Sequence, residues 1–255
     1  MLGAITGDVI GSRFEGHPAP PEGFELFHSD CRFTDDTVCT LAVAEALRTG
    51  SGFAETLRRF VRRYPDAGYG GMFLRWAFAD DPPAYGSWGN GAPMRTAAVG
   101  WWVDTEAEAL DLAAAQAAVS HDHPDAVAGA QAVAVAILHL RKGVAHADVR
   151  TELAARFGYD LRPKAPLARR GFDVSAAGTV PTALATAFEA ADWEQAVRTA
   201  VGLGGDTDTL ACITGAVAET IHGVPGSIAE QARGSLTDDL RDVLDGFEQA
   251  CADWR

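Results

Sequence analysis

The chain has 255 residues, 47% apolar and 22% charged, which is ordinary globular usage and excludes a disordered polymer. A formal net charge of -14 repels a phosphate backbone, so nucleic acid is not an expected partner unless a basic patch is concentrated somewhere. Four scattered cysteines, Cys31, Cys39, Cys212 and Cys251, contain no C-x-x-C pair and fit reduced thiols in a cytoplasm rather than a disulfide framework or a zinc site.

In chain order, the opening MLGAITGDVIGSRFEG has no basic leader and carries Asp8 among its apolar residues, so it does not read as a signal peptide. A Gly/Pro/Asp-rich loop over 15–36 ends in Phe33-Thr34-Asp35-Asp36-Thr37. The three-to-four spacing of Val38, Leu41, Ala42 and Leu47 then predicts a helix over 37–49. A helix over 53–64 carries Arg58, Arg59, Arg62 and Arg63, a basic run that reads as a solvated face. After a helix over 70–80 comes a loop over 81–93 containing Tyr85-Gly86-Ser87-Trp88-Gly89-Asn90-Gly91. A glycine-rich loop leading into a helix can present backbone N–H groups to a phosphate, or can be an ordinary turn and cap.

Helices follow over 94–103, 105–119, 124–142 and 145–157, the second marked by Leu110, Ala113, Ala114 and Ala117. Ser120-His121-Asp122-His123-Pro124-Asp125 resembles a metal cluster, but Pro124 and Asp125 also fit the first turn of the next helix. The most apolar stretch, Ala126 to Leu140, is broken by Gln131 and His139 and is shorter than the roughly 20 residues a membrane span needs. A loop over 158–179 precedes helices over 180–190, 192–202, 207–222 and 237–252. One all-α domain over 1–255, with functional loops gathered at one end, is the expected architecture. No sustained heptad appears, so a monomer is expected.

Two segments share one grammar. Thr34-Asp35-Asp36 and Asp206-Thr207-Asp208-Thr209 each place two carboxylates and a hydroxyl immediately before an apolar helical run. Helix capping explains one acid at a helix start, not two adjacent ones that repel each other. Brought together, the clusters form an all-oxygen donor set suited to magnesium, with manganese as an alternative, and four such carboxylates need cations to offset their repulsion. Only the fold can join segments so distant in sequence.

TDDT followed far downstream by GGDTDT resembles the ADP-ribosylglycohydrolase family, which includes the dinitrogenase reductase-activating enzymes. The resemblance runs through GAITGDVIGSRFEG, FTDDTVCTLAVAEAL, YGSWGNGAPMR, SHDHPDA, FDVSAAGTVPTAL and LGGDTDTLACITGAVAE, in order along nearly the whole chain. It implies a compact orthogonal bundle of α-helices with two magnesium ions in a cleft, engaging the ribose of an ADP-ribosyl group. By that resemblance Thr34, Asp35, Asp36, Asp206, Asp208 and Thr209 are the metal ligands, and Glu15, Asp36 and Asp206 are the candidate catalytic carboxylates. Gly89, Asn90, Gly91, Met94, His121, Ser175 and Gly178 become substrate contacts. Asp8 is expected as a buried partner of the ligands, and Thr207 faces away or supports the turn. Ala92-Pro93 and Ala176-Ala177 depart from the family's pattern, so contacts by those side chains do not carry over.

The implied activity is magnesium-dependent release of ADP-ribose from a protein side chain or a small ADP-ribose conjugate. Two other readings fit the same residues: a two-metal phosphohydrolase of nucleotide diphosphates, separable by its AMP or phosphate product, and a non-catalytic ADP-ribose binder, separable by its failure to bind a divalent metal.

Overall fold

The computed structural model describes residues 1–162 and 172–253. Among these the protein is all-α, with no strand and a single bridge between Gly89 and Ser175. The middle of the expected 158–179 loop lies outside the described residues. No helix among the described residues is long and apolar enough to cross a membrane.

The element that organises the site is α1 (Leu2–Gly11), which sequence periodicity alone does not declare. All ten of its residues are buried. Glycine stands at every fourth position, Gly3, Gly7 and Gly11, making one side of the helix bare backbone. That side lies against α12 (Thr207–His222): a Cβ on Gly3 would stand 2.3 Å from Gly215 O, on Gly7 2.0 Å from Ala211 O, and on Gly11 2.4 Å from Thr207 O. The pairing runs in opposite directions, so the two helices are antiparallel. The C-terminal turn of α1, with Asp8, therefore lies beside the N-terminal turn of α12, with Asp206 to Thr209. At the far end, Glu219 of α12 accepts the Gly3 N–H at 2.9 Å, and Trp193 of α11 (Trp193–Gly202) donates its indole N–H to Gly215 O at 3.0 Å.

The second acidic cluster begins α2 (Asp35–Thr49). Thr34 is its N-cap, accepting the Asp36 N–H at 3.3 Å, and Gly50 closes the helix in the left-handed region at φ 71°. α3 (Phe53–Arg63) and α4 (Gly71–Phe78) follow. The arginine run on α3 is a solvated face, as expected, with Arg59, Arg62 and Arg63 exposed; its members also reach neighbours, Arg62 donating to Ala77 O and Ala79 O, Arg63 pairing with Asp239, and Arg58 lying 5.9 Å over the Trp76 ring.

The helix expected over 94–103 is two pieces, α5 (Gly91–Met94) and α6 (Ala97–Trp102). The break has a local cause. Ala92 O accepts from Thr96 Oγ1 at 2.7 Å and from Gln116 Nε2 at 3.1 Å, while Thr96 N bonds three residues back to Pro93 O. Side chains thus take part of the capacity of a helical carbonyl, and the chain tightens. α7 (Glu106–Ala118) starts with a Thr105/Glu108 capping box, and α8 (Pro124–Arg141) starts with Pro124 at N1 and His123 Nδ1 accepting the Asp125 N–H. Eleven of the eighteen residues of α8 are buried, and it packs on α7, α6, α5 and α12, making it a central strut.

α9 (His146–Phe157) lies where it was expected. α10 (Ala176–Glu189) begins four residues earlier than expected, because Ser175 Oγ caps Gly178 N at 3.0 Å and Pro181 sits inside the helix rather than at its start. A short helix not expected from sequence, α13 (Gly226–Gly234), precedes α14 (Asp238–Asp253), which packs on α2.

Candidate metal centre and substrate cleft

Antiparallel packing of α1 on α12, with α2 alongside, brings the two acidic clusters to one point. Ligand-capable oxygens of Asp8, Asp36 and Asp208 lie within 4.8 Å of one another, and so do those of Glu15, Asp206 and Asp208. Asp208 belongs to both groups. Thr209 Oγ1 donates to Asp36 Oδ2 at 3.1 Å, a direct bond between clusters that are 173 residues apart.

Asp8 holds the start of α2 in place. Its Oδ1 accepts Thr34 Oγ1 at 2.7 Å, and its Oδ2 accepts Thr34 N at 2.9 Å, Thr37 N at 3.1 Å and the Thr37 hydroxyl. Four donors from the start of α2 thus converge on Asp8, which fits the expectation of a buried partner to the cluster. Thr34 is buried within the cluster, its hydroxyl between Asp8 and Asp36, and does not itself line the cleft. Thr207 turns away from the acids, as expected, and donates to Gly11 O at 2.9 Å, stitching α12 to α1.

The carboxylates are in electrostatic difficulty. Burial, followed by repulsion from neighbouring acids, pushes Asp36 and Asp208 well above the usual carboxylate range, and half-buried Asp35 is pushed the same way by desolvation and by Asp8 and Asp206. Burial also raises Asp8, Asp206 and Glu15, with Asp206 the next contributor at Glu15. Among the described residues no lysine or arginine forms an ion pair with any of these six. Asp36 Oδ1 is buried with no hydrogen-bond partner at all. An orphaned carboxylate oxygen among acids and hydroxyls is a fit for a hard divalent cation, which would supply the missing partner and offset the repulsion.

Above this floor opens a cleft of about 420 Å³, lined by Glu15, Asp35, Asp36, Asp206, Asp208 and Thr209 on the acidic side. The other side carries Gly89, Asn90, Gly91, Met94 and His121. The glycine loop is pinned by Asn90 N to Val174 O at 2.8 Å and Ala176 N to Trp88 O at 3.0 Å. Asn90 joins the two sides: its Nδ2 donates to Asp206 Oδ2 at 2.5 Å and to Thr179 Oγ1 at 3.1 Å. Gly91 is required by space, since a Cβ there would stand 2.7 Å from His121 Nε2.

Two expected substrate contacts fall elsewhere. Ser175 and Gly178 do not line the cleft; the Ser175 hydroxyl caps α10 through Gly178 N. A Cβ on Gly178 would stand 1.9 Å from Asp173 Oδ2, so the glycine serves this turn. Conversely, sequence reasoning missed the apolar and aromatic wall formed by Met72, Phe73, Phe172 and Val174, together with buried Arg95. Met72 is 54% exposed, Phe172 58% and nearby Trp88 52%, a rim of large apolar side chains around a polar floor. The available signal was a Gly70-Gly71-Met72-Phe73 run at a helix start, too common to carry the inference.

Known proteins resemble this chain over most of its length. The mouse ADP-ribosylhydrolase ARH3 (Mus musculus) is 24% identical, covering 92% of this chain and 86% of the relative. The human ADP-ribosylhydrolase ARH3 (Homo sapiens) is 25% identical, covering 94% and 90%. A solved structure described as an ADP-ribosylglycohydrolase-related protein complex superposes with a TM-score of 0.71 at 23% identity, covering 97% of this chain and 96% of that one, and shares the fold. The ADP-ribosylglycohydrolase family model matches residues 1–255, so the chain belongs to the ADP-ribosylglycohydrolase family, a family of hydrolases.

Proposed function

We propose that this protein is a magnesium-dependent hydrolase that releases ADP-ribose from a modified protein side chain or a small ADP-ribose conjugate. The observation that carries the reading is the pair of acidic groups sharing Asp208 at the floor of a cleft whose opposite wall is a glycine loop with a buried histidine. Thr34, Asp35, Asp36, Asp206, Asp208 and Thr209 would hold two ions, with Glu15 at the cleft's edge. When bound, the ions supply Lewis acidity and fixed attachment points for hydroxyl oxygens, so their contribution is orientation and activation rather than stabilising a cationic ribose.

The chain's own groups divide the remaining work. Asp206 is oriented by Asn90, and Asp36 by Thr209, so both are committed to the ion-binding floor. Glu15 is exposed, follows the short helical turn Ser12–Phe14, and has a raised proton affinity. It is the carboxylate assigned to take the proton from attacking water. Asn90, Gly89 and Gly91 form the wall against which the diphosphate rests, and the apolar rim excludes water from the nucleotide end.

The test is release of free ADP-ribose from ADP-ribosylated arginine, serine and small conjugates, with magnesium and with chelator. Magnesium-dependent release supports the proposal, whereas AMP or phosphate as product replaces it with phosphohydrolysis. Binding of ADP-ribose without turnover of any substrate replaces it with a binder.

Metal should also appear as pH-dependent stability. Because these carboxyl groups have raised pKa values in the fold, the folded protein retains protons that the unfolded chain has already released above its ordinary carboxylate range. The contribution of these groups to the stability of the metal-free protein is therefore fully present in acid and is lost as pH rises through the raised values. Magnesium at about a hundred times its dissociation constant adds about 2.7 kcal/mol, which is about 5–10 °C in Tm for a chain of this size. Thermal scans are expected to show that gain at about pH 8 and little of it near pH 4. A gain equal at both pH values would contradict the assignment of these acids as ligands.

A further inference from the structure

Behind the glycine loop runs a series of buried polar groups that the proposed reaction leaves without a role. Arg95 is fully buried at the cleft wall, and no carboxylate pairs with it. Its Nε donates to Gln116 Oε1 at 2.7 Å, and its Nη2 donates to Gln116 O at 2.7 Å and to Ser120 Oγ at 3.1 Å. Nη1 has no partner. The Gln116 amide has only one sensible orientation, because its Nε2 donates to Ala92 O and, at 2.7 Å, to Thr96 Oγ1.

Counting protons along this series fixes the histidine. A guanidinium has donors and no acceptor, so Ser120 Oγ accepts from Arg95. Ser120 Oγ has a second lone pair, but were it to accept from His121 Nδ1–H as well, its own buried hydroxyl proton would find no other acceptor among the described residues; the proton therefore goes to His121 Nδ1, which is 2.8 Å away. Nδ1 accepts, so a neutral imidazole carries its proton on Nε2. Nε2 faces the glycine loop, at the position where a Cβ on Gly91 would stand 2.7 Å away.

We propose that Arg95 and Ser120 are positioning residues that lock His121 as the neutral Nε2–H tautomer, aiming one hydrogen-bond donor at an anionic oxygen of the bound nucleotide. The identity of that ligand rests on the function proposed above; the tautomer does not. The surroundings hold the ring neutral. Burial, then the Arg95 charge, keeps His121 well below the ordinary histidine range. The rings facing it are Phe73 at 5.8 Å and Tyr85 at 5.9 Å, and burial pushes the Tyr85 phenol up to about 12. The adjacent Asp122 carboxylate is turned to Gly86 N at 2.7 Å. His121 therefore acts as a donor and not as a base, and Arg95 adds positive potential behind the loop.

The experiment is long-range ¹H–¹⁵N NMR of protein labelled with ¹⁵N-histidine, with the His121 signals assigned by their loss in His121→Gln. Free wild-type protein is expected to show protonated Nε2 and bare Nδ1, unchanged between about pH 5 and 8. Ser120→Ala is expected to mix the tautomers and weaken ADP-ribose binding about tenfold, while the magnesium-dependent gain in Tm is unchanged. Protonated Nδ1 in the wild type, a titrating His121, or Ser120→Ala with wild-type tautomer and affinity would each overturn the proposal. If Ser120→Ala does not fold, the wild-type spectrum still decides it. Nε2–H in a wild-type protein that binds no ADP-ribose would remove the proposed function and support the lock.

Discussion

Exchanging Asp208 for Asn is expected to lower kcat/KM for ADP-ribose release by on the order of 10³-fold, about 4 kcal/mol of transition-state stabilisation. Asp208 is the one carboxylate common to the Asp8–Asp36–Asp208 and Glu15–Asp206–Asp208 groups, so its loss weakens both halves of the centre. The same substitution should not destabilise the metal-free protein. Burial and repulsion from Asp36, Asp206 and Glu15 raise its pKa well above the ordinary range, so the ionised group is a liability without a cation. Asn keeps the shape and removes the charge. Scans in chelator near pH 8 should give a Tm equal to or above wild type, and added magnesium should give little further gain. A variant with full activity, or one that loses activity only because its metal-free Tm collapses, would contradict the shared role.

How much of this was legible in the sequence depends on what each residue answers to. α2, α7, α8 and α12 follow three-to-four apolar spacing, and their observed ends agree with the expected ones to within about two residues. α1 hides because its register is written in glycine, which weakens an isolated helix by about 1 kcal/mol per residue and reads as a breaker. Contact with α12, invisible in either segment alone, reverses that meaning. α13 hides for a similar reason: Pro225 and the glycines at its ends read as punctuation, and only Ile228 and Ala232 are buried.

The acids of the centre were legible because paired carboxylates before an apolar run are chemically anomalous. Their meeting is a property of the fold alone, made visible by the Thr209–Asp36 hydrogen bond. Ser175 and Gly178 are the opposite case, since a cap and its glycine look the same in sequence as loop residues that face a site, and here they hold the start of α10 outside the cleft lining. The cleft's apolar rim had no local anomaly to announce it. Met72 or Phe172 becomes informative only when a fold leaves it exposed beside a polar floor.

The second large effect is expected far from any charge. Gly7→Ala adds one methyl group whose carbon would stand 2.0 Å from Ala211 O and 2.4 Å from Ala211 C, against backbone that no rotamer change can move. Relief requires α1 and α12 to separate along their length, and overpacking of that kind costs about 3 kcal/mol or more, a fall of about 6–12 °C in Tm. The separation is also a separation of the acids, because Asp8 is the next residue and anchors Thr34 and Thr37 of the opposite cluster. Gly7→Ala is therefore expected to weaken magnesium binding although it touches no ligand. Ile5→Val, on the same buried helix but on the side opposite the glycines, removes one buried methyl group and should cost about 1 kcal/mol while leaving magnesium affinity unchanged. Calorimetry with and without magnesium separates the two, and equal magnesium affinity in Gly7→Ala and wild type would show that helix contact does not set the geometry of the centre.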